Sequence, residues 1–360
     1  MKITAVRLHP LCVPLPRPVR TAIHAIRTAD TILVELETDA GAVGVGYCFA
    51  FGAHRARALQ ALVEDLAPLY RGQDPRSARG LFEAAWRAIN FLGHAGPAVM
   101  ALGALDTACW DLAAQAAGVP LWRYLGATRT RVPCYASSGL WLDAEVDTLV
   151  REAEAFVAAG HRAVKMRLGR APAEDLERVR RVREALPPDV ALLADANQGW
   201  DEITALRVGR ALEPFQLFWL EEPLPYEDVA GYARLAAALD TPIAAGETEY
   251  GSLGMRRLLE ARAVDVLMPD LQRLGGVTGF LKAAALAEAF HVPLASHLFP
   301  EVSAHVLAAA PTTLILEHMD WHAPLFEAPL RVVDGAALLP EAPGIGLRPD
   351  RAALGRYRAG

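Results

Sequence analysis

At 360 residues the chain exceeds a typical single domain, which leaves one barrel with an extra lobe or two ordinary domains. Hydrophobic residues make up 53%, much of it Ala on helical patterns, and the richest stretch, residues 95–122, is broken by Asp106 and Asp111 too soon for a membrane helix. A formal charge of -6 without acidic or basic blocks argues against nucleic acid as a partner, and Cys12, Cys48, Cys109 and Cys134 lack the paired spacing of a zinc knuckle or disulfide framework.

The first residues alternate like a strand and lack the continuous apolar core of a signal peptide, so a cytoplasmic protein is expected. The first lobe, residues 1–125, opens with strand-like stretches at 3–13 and 31–37. A turn at Asp39-Ala40-Gly41 leads into a hairpin partner at 43–49. The connection 14–29 is Pro-rich at its start and carries Val19, Ile23 and Ile26 among Arg17, Arg20 and His24; a loop of that length with an apolar centre reads as a functional flap. Helices follow at 53–69, 75–90 and 97–117, the last ended by Gly118-Val119-Pro120. Asp106 and Asp111 lie five apart and off one face, so they read as capping or surface groups rather than ligands.

Beyond Gly126 a strand-then-helix rhythm continues to about Met319, with strand ends at Ser137, Arg167, Asp195, Glu221, Glu247, Asp270, His297 and Glu317. Eight such units are the signature of a TIM-type (β/α) barrel. An open doubly wound sheet is the competing α/β fold, but it concentrates its site at one switch point, whereas here polar groups end at least seven strands. The barrel is placed at residues 126–323. The tail, residues 324–360, carries a strand-like piece at 330–333 and is expected to return to the first lobe.

Asp195, Glu221 and Glu247 stand 26 residues apart, each closing a short apolar run of the kind that forms a parallel strand buried on both faces. Barrel strands converge at their C-terminal ends, so these acids become neighbours, and three clustered anions repel unless a cation lies between them. An all-oxygen donor set favours a hard ion, most simply Mg2+. The competing reading is that each acid caps the following helix, but Glu is not a favoured cap. Lys165 and Arg167 share a face of the second strand, because strand side chains alternate, and would point into the barrel toward anions. Asp270 and His297, on adjacent strand ends, form a dyad suited to a general base. Glu317, held protonated by its neighbours, would donate a hydrogen bond to a developing oxyanion. Together these groups suit removal of the proton alpha to a carboxylate.

The residues that carry this pattern resemble the enolase superfamily, specifically its mandelate racemase group. They are Lys165-Met166-Arg167, Asp195-Ala196-Asn197, Trp219-Leu220-Glu221-Glu222-Pro223, Gly246-Glu247, Met268-Pro269-Asp270, Gly275-Gly276-Val277-Thr278-Gly279, Ser296-His297-Leu298-Phe299 and Glu317. The resemblance implies an N-terminal α+β capping domain over a modified (β/α)7β barrel, Mg2+ on Asp195, Glu221 and Glu247, and a small-molecule carboxylate substrate contacted by Lys165 and Asn197. It also implies a homo-oligomer, the Asp270-His297 base and Glu317 as electrophilic acid. Ser137 joins the substrate contacts, and Val19, Ile23, Ile26, Phe49, Phe51, Leu298 and Met319 would line the pocket under the flap. Arg17, Arg20 and His24 stand where a hydroxylated or diacid substrate would be addressed.

One departure matters. The second basic position of the strand-two motif, a lysine base in the racemase, is Arg167, and a guanidinium is a poor base at ordinary pH. Dehydration of a 2,3-dihydroxy acid needs only one base, so a lyase acting on a sugar acid is the leading expectation. A 2-hydroxy-acid racemase or epimerase, favoured by the apolar flap, stands second. A non-catalytic binding protein on the same scaffold stands last, since it has no need of the full constellation.

Overall fold

The computed structural model describes residues 1–359. Its first lobe is a three-stranded antiparallel sheet, β1 (Ile3–Arg20), β2 (Ala25–Thr38) and β3 (Val43–Ala50), in that order. Helices Ala53–Leu66, Ala78–Ala88 and Pro97–Ala116 pack beside it. The last lies directly on β3: Gly44 and Gly46 present the same face, and a Cβ on either would overlap the carbonyl oxygens of Ala108 and Ala104. Close approach of helix and strand is therefore available only to glycine there.

The stretch expected to be a 16-residue flap, 14–29, is instead mostly strand. β1 and β2 pair onward to Arg20 opposite Ala25, with a register shift between Pro14 and Val19, leaving only Thr21–His24 as a turn. β1 is the edge of the sheet, and an edge strand tolerates Pro14, Pro16 and Pro18 because their missing amides need not bond a neighbour.

The second lobe is a closed parallel barrel of eight strands: β4 (Arg131–Ala136), β5 (Ala163–Arg167), β6 (Ala191–Asp195), β7 (Leu220–Glu221), β8 (Ile243–Ala245), β9 (Val266–Leu267), β10 (Leu294–Ala295) and β11 (Thr313–His318). Pairing of β11 with β4 closes it. A helix follows each of the first seven strands, while a 3-10 turn, Ala323–Leu325, follows β11. The expected (β/α)7β plan is met. Inside, one residue from each strand segment forms a plug: Tyr135, Ala163, Leu193, Trp219, Ala244, Val266, Ala295 and Ile315.

That plug positions the site. Strand side chains repeat with period two, so the inward face runs on from Tyr135 to Ser137, Ala163 to Lys165 and Arg167, and Leu193 to Asp195. The same step carries it from Trp219 to Glu221, Ala295 to His297 and Ile315 to Glu317. β8 breaks the rule, because its inward residue is Ala244. Gly246, at φ 130 against the Met268 backbone, redirects the chain and puts Glu247 at the mouth.

Of the two acids read as capping or surface groups, Asp106 bolts the lobes together and Asp111 ties the first lobe to the tail. Both are buried. Asp106 accepts the Thr278 amide at 2.8 Å and its hydroxyl at 2.6 Å, capping the barrel helix Val277–Ala289 from the other lobe. Asp111 accepts the amides of Val45 and Ile345, each at 2.8 Å. The tail makes both of the contacts open to it. First β12 (Arg331–Val333) and β13 (Ala336–Leu338) extend the barrel sheet at β4, then Arg351 pairs with Glu35 of the first lobe at 2.6 Å.

Candidate active site

The cap sheet and the barrel mouth enclose a cavity of about 330 Å3. Lys165 lies at its base, fully buried, with Nζ 2.6 Å from Glu221, 2.9 Å from Glu317 and 3.5 Å from Asp195. Burial opposes its charge, but these three carboxylates outweigh it and raise its pKa, so the ammonium persists. Asp195 is held by the amide of Asn197 at 2.8 Å and its side chain at 3.0 Å. Glu221 accepts the Trp219 indole at 2.9 Å, and Glu247 faces His297 Nε2 at 3.5 Å.

The expected dyad is present: His297 Nδ1 lies 2.7 Å from Asp270, whose other oxygen accepts the Arg273 amide at 2.9 Å. Burial lowers the imidazole pKa, yet Glu247, Asp270 and Glu317 together raise it above its ordinary value. Across the mouth, Arg167 donates to the Ser137 carbonyl at 2.7 Å, the Ser137 hydroxyl at 2.9 Å and the Gly139 carbonyl at 3.3 Å. Its guanidinium stacks on Trp141 at 4.2 Å. Arg167 therefore meets backbone and hydroxyl oxygens, not the carboxylates expected to face it.

Glu317 corrects a second expectation. It accepts hydrogen bonds from Ser137 at 2.6 Å, Leu298 N at 2.7 Å and Lys165 at 2.9 Å, and a group that only accepts is ionised. Burial pushes its pKa up, but Lys165, His297 and Arg167 bring it down to about 2. Both of its oxygens stand as acceptors rather than donors, and Lys165 is the donor at this end.

Burial and neighbouring acids raise the pKa of Glu221, Glu222 and Glu247, and Asn197 Oδ1 and Glu222 Oε1 are buried without partners. Crowded anions and orphaned oxygen acceptors fit a hard divalent cation. Among the described residues no three metal-ligating side chains are already gathered round one point; Lys165 lies between Asp195 and Glu221 instead.

Ile26, Phe49, Phe51, Leu298 and Met319 line the cavity as expected. Val19 and Ile23 do not. Val19 is buried within the ribbon, and Ile23 is 50% exposed on its tip, in the turn that joins the two strands. Arg17 pairs with Glu152 instead, while His24 does reach the cavity. Ser137 acts from behind, through Glu317 and Arg167. Sequence reasoning missed Arg55, Met100, Trp141, Arg273 and Trp321, all of which line the space. Arg273 had a signal, three residues past Asp270 in the same loop; the others sit outside any strand-end pattern.

A lid lobe over a barrel whose strand ends carry carboxylates, a buried ammonium and a His-Asp pair defines a class of enzyme. Residues 2–126 match the family model described as mandelate racemase / muconate lactonizing enzyme, N-terminal domain, and residues 148–353 match the one described as enolase C-terminal domain-like. The chain belongs to the mandelate racemase / muconate lactonizing enzyme family of the enolase superfamily, and it is an enzyme of the lyase or isomerase kind.

An L-talarate/galactarate dehydratase of Salmonella typhimurium is 36% identical over 352 residues, spanning 96% of this chain and 88% of the relative. A 3,6-anhydro-alpha-L-galactonate cycloisomerase of Streptomyces coelicolor is 35% identical over 353 residues, spanning 97% of each. The crystal structure of L-talarate dehydratase from Polaromonas sp. JS666, complexed with Mg and L-glucarate, is similar at a TM-score of 0.92 and 37% identity, covering 100% of this chain and 98% of that one. Among the described residues no helix is long and apolar enough to cross a membrane.

Proposed function

We propose that this enzyme is a Mg2+-dependent dehydratase of a sugar acid or related 2,3-dihydroxycarboxylate. The observation that carries the reading is the asymmetry of the two walls. One holds an imidazole oriented by Asp270 at 2.7 Å; the other holds Arg167, locked by three oxygen contacts and unable to serve as a base.

Asp195, Glu221 and Glu247 would hold Mg2+, which supplies positive charge for the substrate carboxylate and for the charge that builds on it. Lys165 donates to the same carboxylate while Glu317 and Glu221 fix its position. His297 takes the alpha proton on Nε2, and the C–H electron pair moves toward the carboxylate to give an enediolate. That electron pair then forms the C2–C3 double bond as the C3–O bond breaks, and the departing hydroxide takes the proton from His297. Water leaves, and the enol tautomerises to a 2-keto acid. Arg167 stays protonated throughout, and its Nε–H is buried without a partner.

Purified enzyme with Mg2+ should form 2-keto acid from at least one member of an acid-sugar library, and exhaustive chelation should abolish this. A second reading, racemisation or epimerisation of a 2-hydroxy acid similar to mandelate, draws on the aromatic walls, where Trp141 and Trp321 stack at 5.9 Å beside Phe51. Alpha-proton exchange in D2O separates the two. One-base chemistry exchanges a single stereoisomer, and rapid exchange of both would establish the racemase.

A further inference from the structure

We propose that strand β3 of the capping lobe sets the geometry of the base: Tyr47 with Glu301, and the Phe49 amide with Gln272, clamp the two loops that carry His297 and Asp270. Tyr47 and Glu301 are then positioning residues for the dyad. The inference rests on His297 as the base, which the dehydratase and racemase readings share. Directly after His297 the chain takes two left-handed residues in succession, Leu298 at φ 50 and Phe299 at φ 51. Bulky side chains seldom adopt that conformation, so it persists only where surrounding contacts impose it. Phe299 also stands at the N-cap of helix Pro300–Ala309, where it has no side-chain oxygen to fix the helix end.

The contacts that impose it come from both lobes. On the barrel side the Leu298 amide donates to Glu317 at 2.7 Å, and the Ser303 hydroxyl donates to the Leu298 carbonyl at 3.2 Å. On the cap side the Tyr47 hydroxyl donates to Glu301 at 2.6 Å, and the Tyr47 and Phe49 rings pack on Phe299 at 4.9 and 5.6 Å between centroids. Tyr47, Phe299 and Glu301 are all buried. Tyr47 and Phe49 share a face of β3, because strand side chains alternate. The Phe49 amide donates to Gln272 Oε1 at 3.1 Å, so one strand grips the chain at Phe299 and at Gln272, each the second residue past a member of the dyad. β3 itself is paired with β2 along its length and set through Gly44 and Gly46 against helix Pro97–Ala116, which makes it a rigid reference. Removing the Tyr47 hydroxyl leaves Glu301 buried without that partner and frees the loop to relax from the left-handed conformation. The imidazole then drifts from its 2.7 Å contact with Asp270, and catalysis is sensitive to small displacements of a reacting group.

The test uses the full chain with Mg2+ and galactarate as the probe acid. Tyr47→Phe should lower kcat and alpha-proton exchange about 10-fold or more while KM stays within about twofold. Glu301→Ala should do the same, and Glu301→Gln, which keeps an oxygen acceptor for the hydroxyl, should recover most of the rate. Arg351→Met, which removes an ion pair between the capping lobe and the tail, should leave kcat unchanged. A second readout needs no substrate. The Nδ1 proton resonance of His297, assigned by its loss in His297→Asn, should move upfield or be lost to exchange with water in Tyr47→Phe, and persist in Glu301→Gln. An unchanged rate and resonance in Tyr47→Phe, a loss confined to KM, or an equal loss of kcat in Arg351→Met would overturn the inference. Failure of the parent enzyme to dehydrate any acid sugar counts against the dehydratase reading alone, and the resonance still decides the clamp. Should Tyr47→Phe fail to fold, the contrast between Glu301→Ala and Glu301→Gln carries the test.

Discussion

The barrel mouth and the capping ribbon face each other across one cavity, and different forces hold them. At the mouth each charged group is fixed by several partners: Lys165 by three carboxylates, Glu317 by three donors, Arg167 by three oxygens. The ribbon reaches the mouth with one four-residue turn, secured by the Arg20 carbonyl accepting the Leu142 amide at 3.1 Å and by Ala22 set against Gly169 and Gly199. The mouth is a cross-linked network that cannot shift one member alone. The ribbon is a contact between small residues, free to vary without disturbing the chemistry. A change in the ribbon can therefore be made without unpicking the network at the mouth.

The largest expected effect is at the mouth. His297→Asn should lower turnover and alpha-proton exchange about a thousandfold or more, the range for loss of a general base, with Mg2+ affinity retained. Exchange surviving at near parental rate would show that the base lies elsewhere.

The joint between the regions should respond to acid. His305 and His322 are buried there: His305 accepts the Trp122 amide at 3.1 Å, and His322 bonds Thr31 of β2 at 3.0 Å. Burial lowers their pKa values to about 4 and about 3 from 6.5. A depressed folded-state value means that stability is full above about 6.5 and is lost as pH falls toward the folded value. For His305 alone this is on the order of 3 kcal/mol. Melting temperature should therefore fall between pH 7 and pH 4.5, and His322→Phe should flatten part of that slope. A flat profile in the parent protein would refute it.

A smaller effect is expected at the latch. Ala22→Leu collides with the open faces of Gly169 and Gly199, and should raise KM by about tenfold while exchange by bound substrate changes little. An equal loss in kcat would mean that the turn also orders the catalytic groups. The smallest is Ile23→Ser: because Ile23 is exposed on the tip, kcat/KM should stay within about twofold for every acid tested. A selective change there would restore Ile23 as a pocket residue.

Much of the site was legible because it follows from a local rule. Short apolar runs ending in Asp195, Glu221 and His297 declare their strands, and period two with a common C-terminal mouth does the rest. Glu247 was placed as a regular strand end, whereas it reaches the mouth through a break in that period at Gly246. Arg167 in place of a lysine raised the one-base expectation without any coordinates, since guanidinium basicity does not depend on the fold.

What the chain's order could not settle depends on partners distant in sequence. Strand pairing that resumes at Val19 opposite Ile26 turned an expected flap into a ribbon, with Val19 buried in it and Ile23 exposed at its tip, because register is a property of two strands at once. Asp106 became a buried interlobe cap, and Asp111 a buried tie between β3 and the tail, only when Thr278, Val45 and Ile345 came within reach. Glu317 became an acceptor in an environment of Lys165, Ser137 and the Leu298 amide, and Arg55 and Arg273 came to line one cavity from opposite lobes. The sequence alone determined which side chains end which strands, for that is a matter of pattern along one segment. Hydrogen-bond partners, pocket walls and the mix of charges that line the cavity waited on the folded chain, because electrostatic and packing energies are sums over neighbours brought together from afar.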